Sequence, residues 1–187
     1  MIGHRIVRNL RAGPASAPPG PMNDTAVREV AAGLQAASVR CLGRGLSVFA
    51  IDSGSCGGCE LELRMLASVV YDLERFGLRF VASPRAADVL LVTGPVSRNL
   101  HAALVQAWEA APDPKFVVAV GDCAIDGGVF KGSYAITGGV DSALPVDLLI
   151  RGCPPTPAQV LDGLRILVEA NAELESAGRC PIGAKLR

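Results

Sequence analysis

Charge of either sign is scarce in this 187-residue chain: 18 basic and 18 acidic side chains make up 19% of it and cancel to a formal net charge of zero. No basic face is available to neutralise phosphates, so nucleic acid is excluded as the expected partner, and so is an electrostatic hold on a membrane surface. Aromatic residues are few, at 4%, while half of the chain is apolar. The interior must therefore be built from aliphatic strands and helices packed closely together. So little surface charge on so apolar a chain points to a partner that covers part of it. Long apolar runs are missing too. Phe116 to Val120 and Ala87 to Thr93 fall far short of the roughly 20 residues that cross a bilayer as a helix, and no transmembrane segment is expected. Only two histidines occur, His4 and His101, neither patterned with a nucleophile, and His101 reads as a surface or capping residue. No GxGxxG follows the first strand, and Gly127 to Ser133 lacks P-loop spacing, so nucleotide or flavin binding is poorly supported. The basic residues Arg5, Arg8 and Arg11 accompany neither an apolar signal core nor paired arginines, which sets the expectation of a cytoplasmic protein. In that reducing compartment the six cysteines read as metal ligands or buried thiols rather than disulfides.

The punctuation of the chain gives its organisation. Residues 1–23 contain Pro14, Pro18, Pro19 and Pro21 among Gly, Ala and Ser, a composition that reads as a flexible arm. From Asp24, a suitable N-cap, residues 24–43 place Val27, Val30, Ala31, Leu34, Ala37 and Val39 at helical spacing and form one amphipathic helix. Residues 44–176 then alternate β-rich runs with helical patterns, and 177–187 form a C-terminal tail. Strands are expected at Leu46–Ile51, Leu78–Ala82, Val89–Thr93, Phe116–Val120 and Val146–Ile150. Helices are expected at Glu60–Phe76, Leu100–Ala111 and from Pro157 to about Glu175. The strands are continuous apolar runs, which requires helices on both faces of a parallel sheet. The expected fold is a flavodoxin-like, doubly wound α/β domain.

Four cysteines fall at matching places on that map. Cys56 and Cys59 follow the first strand, Cys123 the fourth and Cys153 the fifth. In an open parallel sheet the carboxyl ends of the strands share one edge, where ligands bind, so these residues are expected to meet in one metal site. Their flanks, Ser53-Gly54-Ser55-Cys56-Gly57-Gly58-Cys59, Gly121-Asp122-Cys123 and Gly152-Cys153-Pro154-Pro155, leave the backbone free to turn its N–H groups toward sulfur. The dipole at the start of the helix near Glu60 and the charge of Arg151 favour an anionic group there. An iron–sulfur cluster is the favoured occupant. A four-cysteine structural zinc, a thioredoxin-like dithiol at Cys56 and Cys59, and four unrelated thiols remain as alternatives. Cys41 and Cys180 read as bystanders.

The segments Asp52 to Glu62, Gly121-Asp122-Cys123-Ala124 and Arg151-Gly152-Cys153-Pro154-Pro155 resemble the small subunit of energy-converting, membrane-associated nickel-iron hydrogenases. They are similar also to its relative, the cluster-carrying small subunit of respiratory complex I. The resemblance spans about residues 45–170. It implies one 4Fe-4S cluster held by Cys56, Cys59, Cys123 and Cys153, and an electron-transfer subunit with no complete active site of its own. The implied partners are a hydrogenase-like large subunit, a ferredoxin-like iron–sulfur subunit and integral-membrane subunits, which would hold the chain peripherally on the inner face of the cell membrane. In complex I the first two ligands are adjacent, whereas Gly57 and Gly58 separate them here, a departure that favours the hydrogenase side.

Two further expectations concern the neighbourhood of the cysteines. Glu60 and Glu62 are expected to complement the helix dipole and cap the first turn, with a role in proton movement as the alternative. Gly127 to Gly139 is expected to be a long loop beside the cysteine edge that contacts the large subunit, with a solvent-exposed loop as the alternative.

Overall fold

The computed structural model describes residues 24–176. The expected arm and tail lie outside the described residues, as do Cys180 and the side chain of Cys41. The chain begins with helix α1 (Asp24–Leu42) and strand β1 (Leu46–Asp52), followed by α2 (Gly58–Leu66), β2 (Leu78–Phe80) and β3 (Val89–Thr93). It continues through β4 (Val96–Ser97), α3 (His101–Ala110), β5 (Phe116–Val120), α4 (Asp122–Asp126), β6 (Ile136–Gly138), β7 (Leu148–Ile150) and α5 (Pro157–Ser176).

Strands β1, β2, β3, β5 and β7 form one sheet in the order β2-β1-β3-β5-β7, parallel throughout. Counted among themselves these five run 2-1-3-4-5, the flavodoxin-like order. The composition of β3 explains why the sheet is covered on both sides. Val89 and Leu91 pack on one face with Leu34, Leu161 and Leu164, while Leu90 and Val92 pack on the other with Leu104 and Leu144. All are fully or almost fully buried; each such side chain contributes about 1.5–3 kcal/mol relative to exposure. Helix α1, expected ahead of the sheet domain, shares that first core: Ala31, Leu34 and Ala37 pack with Val160, Leu161 and Leu164 of α5.

The amino edge of the sheet is pinned by a buried acid. Asp88 Oδ2 accepts the Ser47 N–H at 2.9 Å, and Arg44 grips the same carboxylate with both guanidinium nitrogens, at 2.8 and 2.6 Å. A buried carboxylate without such partners would cost several kcal/mol. A recess of about 410 Å³ lined by Arg44, Gly45, Glu74, Gly77 and Arg79 opens at this edge, opposite the one the cysteines occupy.

The helix expected to run from Glu60 to Phe76 is shorter than its periodicity suggests. α2 stops at Leu66; Ser68 Oγ donates to the Met65 carbonyl, Asp72 takes a left-handed conformation at φ 44°, and a separate 3-10 turn covers Leu73–Phe76. Val70, which a continued helix would place on the same face as the buried Leu63 and Leu66, is 52% exposed. The second and fifth strands of the sheet are three residues each, shorter than their apolar runs. The span 127–139 is not one loop, for it holds a 3-10 turn at Gly128–Phe130 and strand β6, which pairs antiparallel with β4.

Candidate metal centre

The loop between β1 and α2 is built by its own short side chains. Asp52 Oδ1 accepts the N–H groups of Gly54 and Ser55 at 2.8 and 2.7 Å, and Ser55 Oγ accepts that of Gly57 at 3.0 Å. Ser53, fully buried, has its hydroxyl 2.8, 2.9 and 3.2 Å from the carbonyls of Thr93, Gly94 and Pro95, which fastens the loop to the carboxyl end of β3. Gly94 lets the two backbones meet: at φ +72°, a Cβ there would stand 2.4 Å from the Ser55 nitrogen. None of Asp52, Ser53 and Ser55 was assigned a role from sequence, although short polar residues among glycines are the ordinary signature of side chains that bond their own backbone.

Three loops converge where the strands end. A Cβ on Gly121, which has φ +91°, would sit 2.7 Å from Cys59 Sγ, 3.4 Å from the Gly152 carbonyl oxygen and 3.8 Å from Pro155. One on Gly58 would touch Cys56 Sγ at 3.6 Å and Pro154 at 4.0 Å, and one on Gly128 would press on Cys123 Sγ at 2.8 Å. The glycines therefore clear the space around three of the four sulfurs and bring the loops after β1, β5 and β7 together.

The electrostatics agree. Burial first, then the Glu60 carboxylate and then the other three cysteines push the Cys59 thiol up to about 12. Cys123 is also raised, chiefly by burial and against a hydrogen bond from the Val129 N–H, with Cys153 and Cys56 opposing its ionisation. Cys59 and Cys123 are thus each within electrostatic reach of both Cys56 and Cys153. Cys59 and Cys123 are buried and Cys56 and Cys153 exposed, so the group lies at the surface with two members set inside it.

Glu60 does not cap α2. That helix has Gly57 at its N-cap with no side-chain cap. The Glu60 carboxylate turns inward, where Oε1 meets the Thr93 hydroxyl and Oε2 is buried with no hydrogen-bond partner among the described residues. His101 begins α3 and Arg151 is exposed.

The donor set suits an iron–sulfur cluster: four soft thiols, glycine-cleared space around them, and a main-chain N–H donating to Cys123 sulfur. A tetrahedral zinc would need its sulfurs about 2.3 Å from one point. Among the described residues no group of three or more His, Cys, Asp or Glu is arranged to hold a single ion, and no described helix is long and apolar enough to cross a membrane.

Known proteins share this arrangement of chain. The family model described as NADH ubiquinone oxidoreductase, 20 Kd subunit, matches residues 56–167. Formate hydrogenlyase subunit 7 of Escherichia coli is 44% identical over 137 residues, which is 73% of this chain and 54% of that protein. A Pyrococcus furiosus protein described as a probable membrane-bound hydrogenase subunit is 42% identical over 71% of this chain and 80% of its own length. Among solved structures, a chain of the membrane-bound sulfane sulfur reductase, an archaeal respiratory membrane complex, superposes with a TM-score of 0.64 at 34% identity, covering 81% of this chain and 82% of that one.

Proposed function

The chain belongs to the family of the 20-kDa subunit of NADH ubiquinone oxidoreductase, and on that premise we propose that Cys56, Cys59, Cys123 and Cys153 hold one 4Fe-4S cluster through which electrons pass to an active-site subunit. It is a subunit of an oxidoreductase complex of the membrane-bound hydrogenase and complex I type. The complex we favour is a membrane-associated nickel-iron hydrogenase that evolves or oxidises hydrogen. Electrons come from a ferredoxin-like subunit and leave for the hydrogenase-like large subunit, and integral-membrane subunits hold the assembly at the inner face of the cell membrane. The observation that carries the reading is the meeting of three cysteine-bearing loops at one sheet edge, with Gly121 against both Cys59 Sγ and the Gly152 carbonyl.

When bound, the cluster supplies one-electron storage at a potential tuned by hydrogen bonds to sulfur, nearby charge and burial. The chain's own residues set those terms. Cys59 and Cys123 sit inside the edge and Cys56 and Cys153 face out, the Val129 N–H stabilises charge on the Cys123 sulfur, and Glu60 opposes it beside Cys59. The separation of Cys56 from Cys59 by two glycines supports the hydrogenase side. The family description itself favours a second reading, the equivalent subunit of a complex I-like enzyme without nickel that passes electrons to quinone.

Anaerobic purification of the full chain with its partner subunits tests the reading. About four iron and four sulfide per chain, with broad absorbance bleached by dithionite, are expected. Cys123→Ser is expected to lose them. One zinc and no iron, or full iron content in Cys123→Ser, overturns the ligand set. Nickel in the large subunit separates the hydrogenase from the complex I-like alternative.

A further inference from the structure

We propose that Asp122 is a positioning residue, which clamps the loop bearing Cys123 to the loop bearing Cys153 by holding the Gly152 N–H on its carboxylate. The inference rests on the reading of these cysteines as cluster ligands.

Half of the clamp is main chain. The Gly121 N–H donates to the Ile150 carbonyl at 2.8 Å and the Asp122 N–H to the Gly152 carbonyl at 2.9 Å. The side chain makes the other half: Asp122 Oδ1 accepts the Gly152 N–H at 3.1 Å across 30 residues of sequence. The exchange is reciprocal, so residue 152 is fixed at both its N–H and its carbonyl by one partner. The sheet cannot do this, because β7 ends at Ile150 and Gly152 lies beyond its last rung. Nor is residue 152 free to settle elsewhere. It holds φ +142°, and a Cβ there would stand 2.5 Å from the Pro155 Cα.

A carboxylate at this point is otherwise a liability, since its charge opposes thiolate formation on the adjacent Cys123. What it supplies is an acceptor oxygen at the one place that ties two ligand loops together. Cys153, the exposed ligand at the end of that tie, is the one whose position depends on it.

The full chain, produced anaerobically with its partner subunits, is compared as wild type, Asp122→Asn and Asp122→Ala. Asparagine keeps an acceptor at the same reach without the charge; alanine removes the acceptor. Wild type and Asp122→Asn are expected to retain the same iron and sulfide content and the same dithionite-reduced electron paramagnetic resonance spectrum. Asp122→Ala is expected to bind the cluster roughly 10- to 100-fold more weakly, seen as faster loss of iron to a chelator. Asp122→Ala matching wild type overturns the clamp, and so does Asp122→Asn failing as badly as alanine, since the acceptor would then not be what matters. Single-amide hydrogen exchange on the wild type gives a readout that needs no variant to fold: the Gly152 N–H is expected to exchange as slowly as the amides of β5, and free exchange there overturns the clamp. A wild-type chain without iron or sulfide but with a protected Gly152 would sink the metal-centre reading and leave the tie between the loops standing.

Discussion

At the scale of single residues, the meeting of the cysteine-bearing loops at one sheet edge was legible in sequence because the four cysteines lie in three short motifs that each follow a strand. The residues that shape their surroundings were not. Ser53 and Asp52 act on backbone atoms of their own and neighbouring loops, and Glu60 turns from the helix start to Thr93; such pairings depend on what folding brings alongside. The inequality among the thiols is likewise a product of folding, and it can be measured. In the cluster-free chain at about pH 8, a thiol pushed up to about 12, as Cys59 is by burial and the Glu60 carboxylate, has a thiolate fraction roughly a thousand-fold below that of an ordinary thiol. Cys123 is raised in the same direction, and both sit inside the edge. Timed alkylation followed by peptide mapping should therefore label the exposed Cys56 and Cys153 first and Cys59 last. Equal labelling of all four would mean that the two inner thiols are not set inside the edge as described.

At the scale of elements, the strands were readable because burial on both faces removes the polar alternation and leaves runs such as Val89–Thr93, buried along its whole length. The end of α2 was not readable. Its apolar periodicity continues through Val70 and Leu73, while the backbone has already turned at Ala67 and Val70 lies in solvent. Local hydrogen bonding by Ser68 and the left-handed Asp72 override the pattern. The junction of β3 with the CxxC loop shows how far an element boundary controls the site. Gly94 has φ +72° and no room for a side chain, since a Cβ there would stand 2.4 and 2.5 Å from the backbone nitrogen and Cα of Ser55. Gly132 has φ +84°, but a Cβ there would meet nothing within 4 Å. Gly132→Ala should cost only the strain of a left-handed alanine, about 1–2 kcal/mol. Gly94→Ala adds a clash with backbone and should cost several kcal/mol, along with cluster content, since the loop carrying Cys56 must move. Thermal unfolding and iron analysis of the two variants side by side check this; equal effects would mean that the β3–loop contact is not tight.

At the scale of the whole molecule, the cysteine edge carries apolar surface that the described residues leave uncovered. Leu61, two residues beyond Cys59, is 61% exposed, and Val129 and Tyr134, in the span after Cys123, are 81% and 88% exposed. Val129 also supplies the N–H that meets the Cys123 sulfur, so whatever covers this segment bears on a proposed ligand. A sequence reports its own burial through periodicity, but a surface buried only on assembly has no period to report, so sparse charge pointed to a covering partner and only the resemblance pointed to its kind. The span Gly127–Gly139 is held within the chain by the β4–β6 pair and by the Thr137 hydroxyl on the Val96 carbonyl. Its outer residues, Val129 to Ala135, are all exposed. If this face is the route to the active-site subunit, water must leave it on assembly, because charge–sulfur interactions strengthen as the local dielectric falls. Hydrogen exchange of the isolated chain and of the assembled complex should then show protection gained across residues 127–139, concentrated at 129–135. The paired backbone of β6 should change least, since it is already bonded. Unchanged exchange at 129–135 on assembly would leave those apolar side chains in water and place the electron exit on another face of the cysteine edge.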